Sequence, residues 1–287
     1  MKQRFKDILA AIAYFLYEKG ILHNRIKVHT IDETIDVLLN TEKSMVRFGD
    51  GEIVMIKGGD LMLQKADPEI AKGLAEILAY SFEDLIVTIP DVFETLADHH
   101  RDSRQFWRDH LLFNRKTYEK YCNPDRVYYS TFVSRGYYYA ADRSGCGAQF
   151  AKIRKIWENR DIVVVEGERT HNGVGNDLLD TARSIERVIC PPSNAYEAIP
   201  AILGACTAYG KDRLFLLSVG VAAKFLAVKL FEQGYRVLDI GNLDMEYEWF
   251  VRRSPGKMKL EKHGFVSEET NRAAGYTAYL EQIKVRI

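Results

Sequence analysis

Short apolar runs rich in β-branched residues recur along the chain, with polar or glycine-containing segments between them. Such runs are typical of buried strands, and apolar residues at helical spacing separate several of them. The pattern predicts strands at 44–48, 85–89, 126–132, 161–166, 187–189, 213–220 and 235–241. It predicts helices at 30–40, 67–82, 177–184, 195–208 and 222–233.

Strand, loop and helix alternate at least three times between Asp161 and Gly241. Continuous apolar strands that alternate with helices favour an α/β fold, namely a Rossmann-like, mostly parallel sheet with helices on both faces. The first part of the chain is richer in helix. No repeat or linker interrupts the pattern, so 1–287 is predicted to form a single domain with extra N-terminal helices and a core at about 30–250.

The N-terminal segment 5–20 has apolar residues at helical spacing. They are Phe5, Ile8, Leu9, Ile12, Phe15 and Leu16. The segment is too short and too charged to span a bilayer. We expect a helix packed on the core, with peripheral membrane contact through this face as the alternative.

Composition narrows the class of protein. The 287 residues are 47% hydrophobic, and 40 basic side chains balance 40 acidic ones, so the net charge gives no case for a nucleic-acid-binding protein. The four cysteines form no CxxC or Cys/His cluster, which argues against zinc. With no signal-peptide pattern, the sequence predicts a cytoplasmic protein.

Acidic residues and glycines gather where the predicted strands end, which is where doubly wound sheets bind ligands. "VRFGDGE" at 46–52 places Asp50 and Glu52 one residue apart after a strand. Carboxylates are hard ligands that suit Mg²⁺ or Mn²⁺, and such an ion often bridges protein to a diphosphate. We assign Asp50 and Glu52 to a metal site and Arg47 to the adjoining nucleotide site.

The segment "EGERTHNGVGND" follows the strand at 161–166 and leads to a predicted helix start. Backbone N–H groups there and an arginine side chain would favour phosphate, whereas the alternative is a surface loop with an ordinary N-cap. The glycine of "SVGVAAK" is a weaker candidate, and Lys224 is expected to be structural because no P-loop is completed. The nucleotide candidates here are Glu166, Arg169, Gly173, Gly175, Asn176, Asp177 and Gly220.

The segment "LDMEYEWF" carries Asp244, Glu246 and Glu248 at alternate positions. All three face one way if the segment is extended, whereas Asp244 and Glu248 share a face if it is helical. The aromatic residues around them favour a partly buried place. We therefore assign the three carboxylates to catalysis, with a solvated edge as the alternative.

A tyrosine-rich segment at 126–145 contains Arg135 and Arg143, candidates for diphosphate or acceptor contacts. An aromatic core edge is at least as good an interpretation of this segment. His99 and His100 lie in a charged stretch and are expected on a solvated face.

Four blocks together resemble the GT-D type glycosyltransferases of bacterial surface-glycan and adhesin glycosylation. They read "SMVRFGDGE", "LQKADPEIAKGLAEIL", "VVVEGERTHNGVGNDLLDTARSIERVICPPSNAYE" and "GYRVLDIGNLDMEYEWF". The resemblance spans about 30–250. It implies a Rossmann-like fold, a UDP-sugar donor and a divalent metal, Mn²⁺ or Mg²⁺, at the D-x-E pair. The family's glycine matched by Gly220 is commonly followed by Pro-Thr, where this chain has Val221-Ala222.

The predicted function is therefore a metal-dependent transfer of a hexose, glucose or galactose, from a UDP-sugar to a hydroxyl of a glycan or lipid-linked glycan. The enzyme is expected in the cytoplasm or at the inner face of the membrane. Nucleic acid is not expected to be a binding partner. Two alternatives stay open. Paired carboxylates also serve glycoside hydrolases, and a non-catalytic nucleotide- or glycan-binding module could share the fold.

Overall fold

The computed structural model describes residues 2–80, 82–260, 262 and 275–287. Nine strands form one sheet in which every pairing between strands is parallel, with the order β1-β4-β3-β2-β8-β7-β5-β6-β9. The strands are β1 (Lys27–Val28), β2 (Ser44–Arg47), β3 (Leu85–Ile89), β4 (Val127–Ser130), β5 (Asp161–Gly167), β6 (Ser184–Cys190), β7 (Leu214–Ser218), β8 (Arg236–Asp239) and β9 (Ile283–Arg286).

Helices cover both faces of the sheet. They are α1 (Lys2–Glu18), α2 (Ile31–Asn40), α3 (Asp50–Ile56), α4 (Pro68–Ala79), α5 (Arg101–Tyr121), α6 (Gly136–Tyr139), α7 (Cys146–Lys155), α8 (Ile199–Thr207), α9 (Ala222–Glu232), α10 (Leu243–Val251) and α11 (Tyr276–Gln282), with a 3₁₀ turn at Thr131–Ser134. The α/β fold class with a parallel, Rossmann-like sheet is thus confirmed.

Alternation along the strands divides the core into two layers. Val46 and Val87 pack with α3, α4, α5, α8 and α9 on one face. Met45 and Ile86 pack with α2, α7 and α10 on the other. Because both faces are covered, the inner strands are largely apolar, which is why the sequence revealed them as continuous runs. The edge strands β1 and β9 have exposed positions and were not predicted.

Local signals placed several helix starts correctly. Thr30 caps α2 in a capping box with Glu33, whose carboxylate accepts the Thr30 N–H. Asp67 caps α4, and Pro68 occupies its first position. The helix predicted at 177–184 is wrong, because this segment is a series of turns that leads directly into β6.

The N-terminal helix differs from the prediction in its orientation. Ala10 and Tyr14 are its buried side chains, and the Tyr14 hydroxyl donates to the Val92 carbonyl at 3.0 Å. The helix therefore packs on the core as expected, but through these two residues, whereas the predicted apolar stripe faces outward. Its exposed members, between 42% and 64% accessible, are Phe5, Ile8, Leu9, Ile12 and Phe15.

Candidate active site

The two halves of the chain meet between β2 and β8. Strands β1 to β4 lie on one side of this boundary and β5 to β9 on the other. The register joins β2 and β8 only at Met45 and Leu238. Beyond that pair, the Arg47 N–H donates to the Asp239 carboxylate at 3.3 Å. In open α/β sheets, ligands bind at such a switch point beyond the carboxyl ends of the strands.

A buried ion-pair network occupies this boundary on the α9 side of the sheet. The Lys224 ammonium, 4% exposed, lies 3.0 Å from Glu52 Oε1 and 3.0 Å from Asp239 Oδ2. Glu52 Oε2 accepts the Gly49 N–H at 2.7 Å. Burial would raise the pKa of Glu52, but Lys224 and this hydrogen bond outweigh burial and hold it below its ordinary value.

Arg47 crosses to the opposite face of the same boundary. Its Nε donates to the Thr131 carbonyl at 3.4 Å, which ties β2 to the turn after β4. Gly241, with φ 48°, lies so close that a methyl group on its Cα would overlap the Arg47 guanidinium. Glycine at this position therefore makes room for the arginine beside the switch point.

Among the three carboxylates of α10, Glu246 is the one whose hydrogen bonding is incomplete. It is fully buried on α10, and its Oε2 accepts the Tyr138 N–H at 2.8 Å. Its Oε1 has no hydrogen bond and lies 3.9 Å from Arg135 Nε, which has none either. Burial raises the pKa of Glu246 to about 7, although the Tyr138 N–H and Arg135 oppose the rise.

The neighbouring carboxylates Asp244 and Glu248 are held by protein partners. The Lys262 ammonium lies 2.8 Å from Asp244 and 2.9 Å from Glu248, and the Asn176 amide donates to both. The segment is helical, so Asp244 and Glu248 share a face while Glu246 points elsewhere. Burial would raise the pKa of Glu248, but Lys262 leads the contacts that lower it below its ordinary value.

The glycine loop after β5 is folded onto protein carboxylates. Glu166 pairs with the Arg187 guanidinium at 2.6 Å and accepts the Asn172 N–H at 2.7 Å, and the Gly173 N–H donates to Asp244 at 2.8 Å. Asp177 bonds to Tyr247 and Arg154. No helix begins at 176–177, so the argument from a helix N-terminus does not apply there. The nucleotide role of this loop, in which Arg169 is exposed, stays a prediction.

Outside the glycine loop, Asp50 and Gly220 are open towards solvent. Asp50 is the first residue of α3 and is partly exposed. Gly220, with φ 58°, has open space where a side chain would be, just before α9 begins. In the described part of the chain, no group of three or more His, Cys, Asp or Glu side chains is arranged to hold a metal ion.

Sequence reasoning missed Asp239, which had not been singled out. Lys224, expected to be structural, lies at the centre of the buried network and pairs with Asp239 and Glu52. Asp239 ends a strand immediately before a glycine, and that position was an available signal. His99 is also buried rather than solvated, and its Nδ1 lies 2.7 Å from Ser103 Oγ.

Known proteins share this architecture and sequence. A sequence profile described as "Glycosyltransferase GT-D fold" matches residues 45–268. The "Probable glycosyl transferase Gly" of Streptococcus gordonii is 42% identical over 241 residues, which are 83% of this chain and 35% of that protein. The "Glycosyltransferase GlyD" of Streptococcus pneumoniae serotype 4 is 41% identical over 259 residues, 90% and 31% of the two chains. The chain therefore spans about a third of the length of these curated relatives.

Solved structures match over nearly their whole length. A glycosyltransferase of Streptococcus sanguinis, described as DUF1792, is 39% identical with a TM-score of 0.85, covering 91% of this chain and 99% of that one. A domain of unknown function 1792, described as having a distinct glycosyltransferase fold, is 34% identical with a TM-score of 0.85, covering 96% and 99%. The resemblance seen in the four sequence blocks is confirmed, and the chain belongs to the GT-D-fold family of glycosyltransferases.

Proposed function

We propose that this chain is a metal-dependent glycosyltransferase that moves a hexose from a UDP-sugar to a hydroxyl of a glycan acceptor in bacterial surface glycan or glycoprotein synthesis. The observation that carries the proposal is the environment of Glu246. This residue is a buried carboxylate at the switch point, with one oxygen fixed by a backbone N–H and the other without a hydrogen bond.

Glu246 has the properties of a general base. A pKa of about 7 lets the carboxylate be ionised at neutral pH and still take a proton effectively. In the proposed step, the acceptor oxygen forms a bond to the anomeric carbon while the bond from that carbon to the UDP oxygen breaks. UDP leaves with the electron pair, and Glu246 Oε1 takes the acceptor proton. A single displacement of this kind inverts the anomeric centre.

The leaving diphosphate would lie among positively charged groups and backbone N–H groups near the switch point. Arg47 and Arg135 approach it from the α10 side of the sheet. The open backbone at Gly220 precedes an 11-residue helix, α9, whose N-terminal N–H groups favour phosphate. These features support Arg47 and Gly220 as nucleotide-binding residues.

The residues at 50–52 fit a metal through Asp50 in particular. Mg²⁺ and Mn²⁺ are commonly held by one or two carboxylates with substrate phosphate oxygens as further ligands. Asp50 is partly exposed, whereas both Glu52 oxygens already have protein partners. A bound ion would neutralise charge on the departing diphosphate. Glu52 remains a predicted ligand, and its observed contacts also position the turn that carries Asp50.

Asp50→Asn is expected to weaken UDP binding in the presence of Mn²⁺ at least tenfold and to abolish the gain that Mn²⁺ gives the wild type. The reason is the loss of one charged ligand, worth about 1.5–3 kcal/mol. Calorimetric titration of UDP with and without Mn²⁺ measures both effects. Glu76→Gln, an exposed carboxylate on α4, is the matched control. Wild-type protein that fails to bind UDP under either condition would contradict the proposal.

The outward face of α1 supports contact with a membrane that carries lipid-linked acceptors, at its cytoplasmic side. Its exposed apolar stripe is long enough to lie in the interface. No helix within the described ranges is both long and apolar enough to cross a bilayer.

Ile8→Asp/Ile12→Asp is expected to lower the fraction of protein that co-sediments with phosphatidylglycerol-containing vesicles at least tenfold, because two apolar side chains leave the interface. Met62→Asp/Leu63→Asp is the control, since Met62 is 96% exposed and lies outside α1. Equal sedimentation of wild type and both variants would exclude α1 as the contact.

A further inference from the structure

A cavity of about 670 Å³ lies beside the proposed reaction centre. Its walls come from the ends of β1 and β3 and from the turns after β4. One helical turn, α6 with Arg135 before it, separates the cavity from Glu246. Arg135 and Tyr138 face Glu246, whereas Gly136 and Tyr139 line the cavity. Its volume is within the range of ordinary small-molecule sites.

The charged side chains that line this cavity, called the acidic cavity below, are all negative. The lining contains five carboxylates and, among the described residues, no lysine or arginine. They are Asp32, Asp91, Glu94, Asp98 and Asp142. A ligand with phosphate or carboxylate groups would be repelled, so the cavity does not suit the donor's diphosphate. The described acids are also not grouped to hold a metal ion, since no three of them converge.

Two buried polar groups in the lining have unused hydrogen-bonding capacity. His99 is 8% exposed, and its Nδ1 is engaged by Ser103 while its Nε2 has no partner among the described residues. Burial lowers the pKa of His99 to about 4, so the ring is neutral at pH 7 and can donate or accept. Asp91 Oδ1 is buried without a hydrogen bond. A buried carboxylate oxygen of this kind usually has a hydrogen-bond partner in the working molecule.

The remaining walls offer apolar surface next to these polar groups. Phe93, Phe132 and Tyr139 line the cavity, and the Arg135 guanidinium lies 5.6 Å from the centre of the Tyr139 ring. Aromatic faces beside carboxylates and a neutral imidazole match a ligand with C–H faces and many hydroxyls. Hydroxyls can donate to Asp91 and either donate to or accept from His99.

We propose that the acidic cavity binds the acceptor through a hydroxyl-rich part of a glycan without negative charge, beside the α6 turn that carries the partners of Glu246. This inference rests on the proposed transferase function, because an acceptor subsite has meaning only beside a donor. It adds the class of acceptor and the residues that select it.

The test uses three sets of sugars that differ in charge. Methyl β-glycosides of glucose, galactose and N-acetylglucosamine are neutral, methyl glucosaminide is cationic and methyl glucuronide is anionic. Each is titrated into ¹⁵N-labelled protein while the imidazole signals of His99, identified by their absence in His99→Gln, are followed. Neutral or cationic sugars should shift these signals, and the glucuronide should bind at least tenfold more weakly. Addition of UDP should not shift the His99 imidazole signals.

A charge reversal gives a result that misfolding cannot imitate. Glu94→Lys/Asp98→Lys, both at exposed positions, should improve binding of methyl glucuronide about tenfold and weaken that of methyl glucosaminide. Glu76→Lys/Asp180→Lys changes the net charge equally outside the cavity and should do neither. Equal binding of glucuronide and glucoside by the wild type, or the same response in both double variants, would overturn the inference.

The failures of the two proposals are separable. UDP binding and UDP-hexose turnover with no sugar response at His99 would overturn the acceptor site alone. Sugar binding at His99 in a protein that neither binds UDP nor turns over UDP-hexoses would overturn the transferase, and with it the acceptor role.

Discussion

Glu246→Gln is expected to lower kcat for hexose transfer by about 10²- to 10⁴-fold, the usual contribution of a positioned general base. Glutamine keeps the size of the side chain and can still accept the Tyr138 N–H, but it cannot take the acceptor proton. UDP binding should change less than about twofold, because Glu246 is assigned to the acceptor hydroxyl. Single-turnover transfer and UDP titration on the same preparation measure the two effects.

The pH dependence adds a second signature. Since the carboxylate form is the base, transfer by the wild type should rise as pH increases through about 7, the pKa to which burial raises Glu246. Stability should move the other way. A folded-state pKa above the ordinary 4.5 means that the folded protein binds the proton more tightly, so this group's contribution is fully present below pH 4.5 and is lost as pH rises through 7.

Glu246→Gln should therefore be as stable as the wild type, or more stable, at pH 8. Glu248→Gln is the informative comparison, because Glu248 is paired with Lys262 and Arg252. Its replacement should mainly lower the stability of the protein, with a smaller effect on the rate of transfer. Transfer by Glu246→Gln at more than a tenth of the wild-type rate, with an unchanged pH profile, would exclude Glu246 as the base.

Lys224→Met is expected to lower the free energy of unfolding by about 3–5 kcal/mol, because it leaves Glu52 and Asp239 buried without their shared cation. Urea denaturation at pH 7 measures this. Lys229→Met, at an exposed position of the same helix, should change stability by less than about 0.5 kcal/mol. Loss below about 1 kcal/mol in Lys224→Met would mean that the network is hydrated or repacks.

The mechanism predicts a pH dependence for this loss. The pKa of Glu52 is lowered in the folded state, so its contribution is present above about pH 4.5 and disappears as pH falls. Lys224→Met removes the partner responsible, so the difference between variant and wild type should shrink on acidification. Adding Glu52→Gln to Lys224→Met should recover part of the stability, since one unpaired charge is then absent.

The sequence predicted the inner strands of the sheet well because they are buried on both faces, whereas the partly exposed edge strands β1 and β9 were not predicted. Runs such as 85–89 and 161–166 had no competing helical pattern, and the structure places strands at Leu85–Ile89 and Asp161–Gly167. The helix prediction for 177–184 was wrong for a different reason. Leu178 and Leu179 supply apolar spacing like that of a helix, yet they are buried from turns, where Asn176 Oδ1 accepts the Leu178 N–H at 3.0 Å.

The candidate site was predictable by region but not by role. Spacing alone could not distinguish the three carboxylates on α10, because their difference lies in partners outside this helix. Lys262 neutralises Asp244 and Glu248, whereas Tyr138, 108 residues away, fixes one oxygen of Glu246. The orientation of α1 was predicted wrongly for a similar reason. The helix packs through the small Ala10 and through Tyr14, whose hydroxyl bonds to Val92, and not through its larger apolar residues.

The boundary between β2 and β8 also has a consequence for how the chain folds. Its contacts join residues about 190 positions apart, such as Arg47 and Asp239 at a separation of 192. Loop closure over such distances is slow, so each half of the sheet should acquire its local pairings before the two dock. Asp50 comes from the first half and Glu246 from the second. Recovery of catalysis during refolding should therefore lag behind recovery of secondary structure, reporting the docking event itself.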